Sequence, residues 1–127
     1  MINDFLIINC IGNKDKIGLR IKKNFYIHDF TNKIINNDQL VSSILDLIKK
    51  YKIILNDKFS IIVNCGPGSF SSIRASISIA KGIKISKNVN LYAFRNSDLK
   101  RFNQENIELL IVNGLLQKKL IKPIYIS

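Results

Sequence analysis

Histidine occurs once in this 127-residue chain, at His28, and cysteine twice, at Cys10 and Cys65. One histidine among scattered carboxylates supplies no ligand cluster for a metal ion. The two cysteines lack metal-ligand spacing and sit at the ends of apolar runs, so they read as reduced, buried thiols rather than a redox pair. Acidic side chains are few, nine against twenty basic ones, and the formal net charge is +11. That excess permits an acidic partner such as RNA. It does not demand one: Ile, Lys and Asn, whose codons are A/T-rich, make up 56 of the 127 residues, and the lysines are scattered. No apolar run approaches the roughly 20 residues of a membrane span. The opening "MINDFLIINC" carries Asp4 where a leader would be basic, and it lacks a small-residue cleavage site. The expectation is a cytoplasmic protein without a membrane anchor.

What is present is a foldable chain. Hydrophobic residues make up 46% and charged residues 23%, which excludes disorder and allows one core. "FLIIN" (Phe5–Asn9) suits a buried strand. "KIGLRI" (Lys16–Ile21) and "NFYIHDF" (Asn24–Phe30) alternate as half-buried strands, with Lys22-Lys23 as a tight turn between them. "DQLVSSILDLIKKY" (Asp38–Tyr51) is a helix whose apolar arc, about 160°, is wider than the roughly 100° stripe one sheet requires. "FSIIVNC" (Phe59–Cys65), a helix from about Ser69 to Ile85 and a strand at Asn88–Phe94 make a βαβ unit. A short helix near Ser97–Phe102 follows, and "IELLIVNG" and "LIKPIYIS" read as two strands around a turn at Asn113-Gly114. The fold class is α/β, a mixed sheet with βββαβαβ order.

The break at "NCGPGSFSSIRASISIAKG" carries the functional question. Gly66 and Gly68 permit backbone conformations closed to other residues, Pro67 stiffens the bend, and Ser69 suits a helix cap before Phe70. Free N–H groups at a helix start beyond a strand's carboxyl end make an anion site, but every strand-to-helix turn needs similar ingredients. No Gly-Lys-Ser/Thr follows as a phosphate loop demands, and "GPGSF" is not a nucleophile elbow. Ser69 or Cys65 with His28 as base requires a fold that brings all three together. On the helix, Ile73, Ser76, Ile77 and Ala80 share one face. Ser72, Ala75, Ile79, Gly82 and Ile83 share another, and Arg74, Ser78 and Lys81 form a narrow solvated sector. Small residues on two faces allow the sheet on one side and another helix on the other, either from this chain or from a partner.

This stretch resembles the "GPGSFTG-[LV]-R-IG-x-A-x-A-KGLA" signature of the TsaB (YeaZ) family. Gly66-Pro67-Gly68-Ser69-Phe70, Arg74 and Ala80-Lys81-Gly82 match, while Ser71-Ser72 replaces Thr-Gly. The order of the flanking elements agrees over most of residues 1–102. The resemblance implies a ribonuclease H-like, actin-like (ASKHA) lobe at 1–102, with 103–127 a short tail, either the hairpin remnant of a second lobe or, at "KPIYI", the family's terminal segment with the middle deleted. It implies a non-catalytic protein without cofactor. Such a protein pairs through two helices with a TsaD-type transferase, which installs threonylcarbamoyl on the tRNA adenosine beside the anticodon, and the complex recruits a TsaE-type ATPase. Carried over by position, the contact helices are Asp38–Tyr51 and Ser69–Ile85. The expected contact residues are Leu40, Val41, Ile44, Ile48, Ile73, Ile77 and Ala80, with Arg74 as polar anchor. A homodimer through the same helices and direct tRNA contact are further expectations.

Two departures weigh on that picture. Family members have two lobes, and the acidic residue expected after the first strand is Asn9 here, which argues against metal-assisted nucleotide chemistry. The rival readings are a small anion- or nucleotide-binding protein using the Gly66–Phe70 turn, and a peptidase, for which the chain offers no metal ligands.

Overall fold

The computed structural model describes residues 2–30, 37–118 and 121–124. Its elements are β1 (Phe5–Asn9), β2 (Lys16–Ile21), β3 (Asn24–Asp29), α1 (Asn37–Lys50), β4 (Ser60–Asn64), α2 (Phe70–Lys87), β5 (Asn90–Phe94) and α3 (Gln104–Val112), with a single 3-10 turn at Asn96–Asp98. The five strands form one mixed sheet in the order β3-β2-β1-β4-β5. β2 runs antiparallel to both β1 and β3, whereas β1, β4 and β5 are parallel. The expected mixed α/β lobe is present, with strand bounds within two residues of the sequence reading. Lys22 and Lys23 make the β2–β3 turn, both with positive φ, 49° and 71°, the backbone a two-residue hairpin requires.

Strands β1 and β4 read as unbroken apolar runs because they are buried on both faces. Leu6 and Ile8 of β1, with Ile61 and Val63 of β4, meet Leu40 and Ile44 of α1 and Ile73, Ile77 and Ala80 of α2 in one core. Phe5, Ile7 and Ile62 point to the opposite face, where they join Phe94, Leu99, Ile107 and Leu110 in a second core. The molecule therefore has three layers: two helices, the sheet, and α3. Among the described residues no helix is long and apolar enough to cross a membrane.

The expected hairpin at 103–127 is not formed. Its first strand is α3, and residues 121–124 of the second carry no strand; Leu120 and Tyr125–Ser127 lie outside the described residues. An unbroken apolar run such as "IELLIV" does not separate helix from strand by periodicity alone. One local and one tertiary feature select the helix. Asn103 caps it, its side chain accepting from the Asn106 N–H at 2.8 Å. One turn apart, Ile107 and Leu110 are both buried against the sheet, which contributes about 3–6 kcal/mol in total. The Arg20–Glu108 ion pair, 3.1 Å, ties α3 to β2. Gln117 pairs with Ala93 on the free edge of β5, so this segment is part of the same lobe.

Candidate functional site

The carboxyl ends of β1, β4 and β5 converge on one cluster of amides. Asn64 ends β4 fully buried; its Nδ2 donates to Asn9 Oδ1 at 2.7 Å and Asn96 Oδ1 at 3.1 Å. Its Oδ1 accepts from the Gly66 N–H at 2.8 Å, and the Asn96 N–H donates to the Gly66 carbonyl at 2.8 Å. Asn9, where the family resemblance leads one to expect a carboxylate, thus serves as an acceptor holding the glycine turn through Asn64.

Gly66 has φ +101°, and a Cβ there would meet the Ile124 carbonyl and, at 2.6 Å, Ile73 Cδ1. A Cβ on Gly68 would stand 2.7 Å from Ile11 Cβ and 2.9 Å from the Ile11 carbonyl oxygen. Both glycines are needed for close packing of this turn on its own chain. Pro67 between them is exposed, after a cis peptide bond. The Ser69 N–H donates to the Ile11 carbonyl at 2.8 Å. In the β1–β2 loop the Ile11 and Gly12 N–H groups donate to Asp15 Oδ1 at 3.0 and 2.9 Å. Of the amides in the Gly66–Phe70 turn, those of Gly66 and Ser69 thus donate within the chain, and the amides of the neighbouring β1–β2 loop are held by that loop's own carboxylate.

Ser69 departs from the expected cap: it occupies the cap position, but its side chain makes no capping hydrogen bond. Ser76 anchors the helix instead. It is fully buried, and its hydroxyl lies 3.2 Å from the Cys10 carbonyl and 2.9 Å from that of Ser72. The nucleophile arrangement does not assemble. His28 is exposed on β3, the outermost strand, separated from β4 by β2 and β1. Both cysteines are free and buried, and burial pushes both thiols up, Cys10 far above the usual thiol range, so neither offers a thiolate. Among the described residues no three His, Cys, Asp or Glu side chains could hold a metal ion together.

The helix faces are the main correction. Of the contact residues expected from the sequence, Leu40, Ile44, Ile73, Ile77 and Ala80 lie in the core, Ile77 being 5% exposed. They face the sheet because it is the larger apolar surface available, and none can meet a partner. Val41 and Ile48 are half-buried at the rim of α1, and Arg74 is exposed as expected, together with Ser78 and Lys81. The outward apolar residues are instead Leu45 on α1 and Phe70 and Ile85 on α2, with Phe70 56% exposed. The Arg74 guanidinium lies over the Phe70 ring, 5.1 Å from its centre. These two with Ser71, Ala75 and Ser78 line a shallow hollow of about 280 Å³. A Cβ on Gly82 would meet nothing within 4 Å, so that helix face is open there. The i, i+4, i+8 spacing of Phe70, Arg74 and Ser78 was the available signal for this surface. A second exposed group, Leu109, Val112 and Leu115, belongs to α3 and its end, which sequence patterning reads as strand.

No family model matches this chain, and no curated protein matches it by sequence. Solved structures do match. YeaZ from Pseudomonas aeruginosa superposes with a TM-score of 0.64 at 18% identity, over 76% of this chain and 45% of its own. A protein described as similar to peptidase YeaZ from Pseudomonas aeruginosa superposes with a TM-score of 0.66, also at 18% identity, over 76% and 44%. The chain has their fold and spans less than half their length.

Proposed function

We propose that this chain is a TsaB-like subunit without catalytic activity of its own, which pairs with and activates a TsaD-type transferase in threonylcarbamoylation of the tRNA adenosine beside the anticodon. The observation that carries the reading is the outer face of α2. There the signature residues Phe70 and Arg74 stack on the surface and line a hollow with Ala75 and serines, while the signature residues Gly66, Gly68 and Ala80 maintain the turn and the packing behind it. An exposed aromatic stacked with an arginine brings together two residue types enriched at protein interfaces. The likeness of fold to YeaZ supports the same reading. The contact set is accordingly Phe70, Ser71, Arg74, Ala75 and Ser78 on α2, with Leu45 on α1.

Light scattering on a sizing column tests this, using the chain alone and then mixed with the TsaD-type protein of its own organism. The expected result is a new species with the mass of a mixed complex. Phe70→Glu abolishes it while the circular dichroism and melting of the free chain stay unchanged. Ile77→Asp abolishes it by unfolding, since that side chain is in the core. A mixed complex that survives Phe70→Glu refutes the surface. Separate peaks for the unsubstituted pair refute the partner, and a self-associated species in its place assigns the face to a second copy. The anion-site reading loses the amides of Gly66 and Ser69, which donate within the chain; heat on titration with ATP would revive it.

A further inference from the structure

The free-edge side of the sheet carries a feature that the pairing surface does not use. Lys81 and Lys84 of α2 and Lys118 and Lys122 of the C-terminal segment surround a groove of about 450 Å³, floored by Leu91 and Ile121 and flanked by Ile85. No acidic residue lines it. The sequence supplies none nearby along the chain either: there is no Asp or Glu between Asp57 and Asp98, and none after Glu108. Lys118 borders the groove, but its ammonium lies 5.7 Å from the Tyr92 ring centre, on the face of the sheet opposite Leu91, which leaves Lys81, Lys84 and Lys122 to charge the groove. The overall +11 charge is thus locally of one sign at this groove, where positive potential adds instead of cancelling.

We propose that this groove binds the phosphodiester backbone of a nucleic acid without regard to sequence. Its chemistry distinguishes that occupant from others. Lysine is depleted at protein–protein interfaces, where arginine and aromatics dominate, yet here four lysines and no arginine line the site. An interfacial membrane helix presents a broad apolar face with aromatics; this groove presents one exposed isoleucine and no aromatic lining residue. Three point charges around a shallow, open trough suit phosphates. The surface is separate from the Phe70–Arg74 hollow, so the inference stands without the transferase partner.

Fluorescence anisotropy of the whole chain with a labelled oligouridylate tests it across a salt series. Three lysine–phosphate contacts give a slope of log K against log salt of about −2.1. The double variant Lys84→Gln/Lys122→Gln should flatten the slope by about 1.4, which is about 25-fold weaker binding at 0.1 M salt if the curves converge at 1 M. Lys49→Gln/Lys100→Gln removes the same charge from exposed positions outside the groove and should leave the slope unchanged. Equal loss in both variants overturns the proposal, because net charge alone would then explain binding. No binding at low salt overturns it too. Capture by phosphatidylserine vesicles with indifference to oligouridylate reassigns the groove to a membrane. Equal affinity for oligothymidylate assigns recognition to the phosphate alone, and a preference for oligouridylate adds a sugar contact.

Discussion

Two glycines fourteen residues apart should respond to the same substitution in opposite directions. Gly68→Ala places a methyl 2.7 Å from Ile11 Cβ, 2.9 Å from the Ile11 carbonyl oxygen and 3.0 Å from Ile73 Cδ1. The φ of Gly68 is outside the left-handed region, so the cost is steric alone. The first two atoms belong to the backbone or are fixed to it and cannot rotate away. Moving Ile11 also disturbs its carbonyl's bond from the Ser69 N–H. Overpacking of this kind costs about 1–3 kcal/mol, a sizeable share of the about 5–15 kcal/mol that a domain possesses. Gly82→Ala meets no atom within 4 Å on an exposed helix position and should stabilise by about 0.5–1 kcal/mol through helix propensity. Urea unfolding followed by circular dichroism measures both as shifts of midpoint at constant slope. At about 4 °C per kcal/mol for a chain of this size, Gly68→Ala lowers Tm by about 4–12 °C. A Gly68→Ala variant as stable as the parent, alongside a stabilised Gly82→Ala, would refute the view that the turn's glycines serve close packing.

Further outcomes follow from the amide cluster and the thiols. Asn64→Ala orphans the Gly66 N–H, costing about 1–3 kcal/mol, and hydrogen exchange should show loss of protection at that amide while α1 stays protected. Asp15→Ala frees the Ile11 and Gly12 N–H groups together and should cost about 1.5–3 kcal/mol in urea unfolding; an unchanged midpoint would mean the loop does not depend on its carboxylate. The Cys10 thiol is raised above its ordinary value of 9.0. Above that pH the unfolded chain therefore releases a proton that the native state keeps, and stability falls as pH rises. The contribution is fully present below about pH 9 and declines by about 1.4 kcal/mol per pH unit beyond it. Comparing the parent with Cys10→Ala between pH 8 and 11 isolates it, and parallel curves would contradict the assignment.

The five strands and the βαβ core of this protein are legible in local pattern alone. Alternation in "KIGLRI" and unbroken apolarity in "FLIIN" and "SIIVN" are local records of one-sided and two-sided burial, and the glycine-proline break marks where β4 must turn into α2. The role of Arg74, Ser78 and Lys81 as the solvated sector of α2 was equally legible, because helical period alone separates them from Ile73, Ile77 and Ala80. Tertiary structure decided which apolar face is the core. On a helix with apolar or small residues most of the way round, periodicity defines faces but not their neighbours. Ile77 and Ala80 are internal only because the β1–β4 surface lies opposite them, which leaves Phe70 and Leu45 outside. It also decided α3. "IELLIV" carries no period that excludes a strand, and its helical form follows from the uncovered second face of the sheet, where Phe5, Ile7 and Ile62 required a cover. Last, it decided the purpose of Gly68 and the basic groove. A close backbone approach between residues 11 and 68, or lysines from α2 and the tail around Leu91, brings together parts of the chain whose separation in sequence gives no sign of contact.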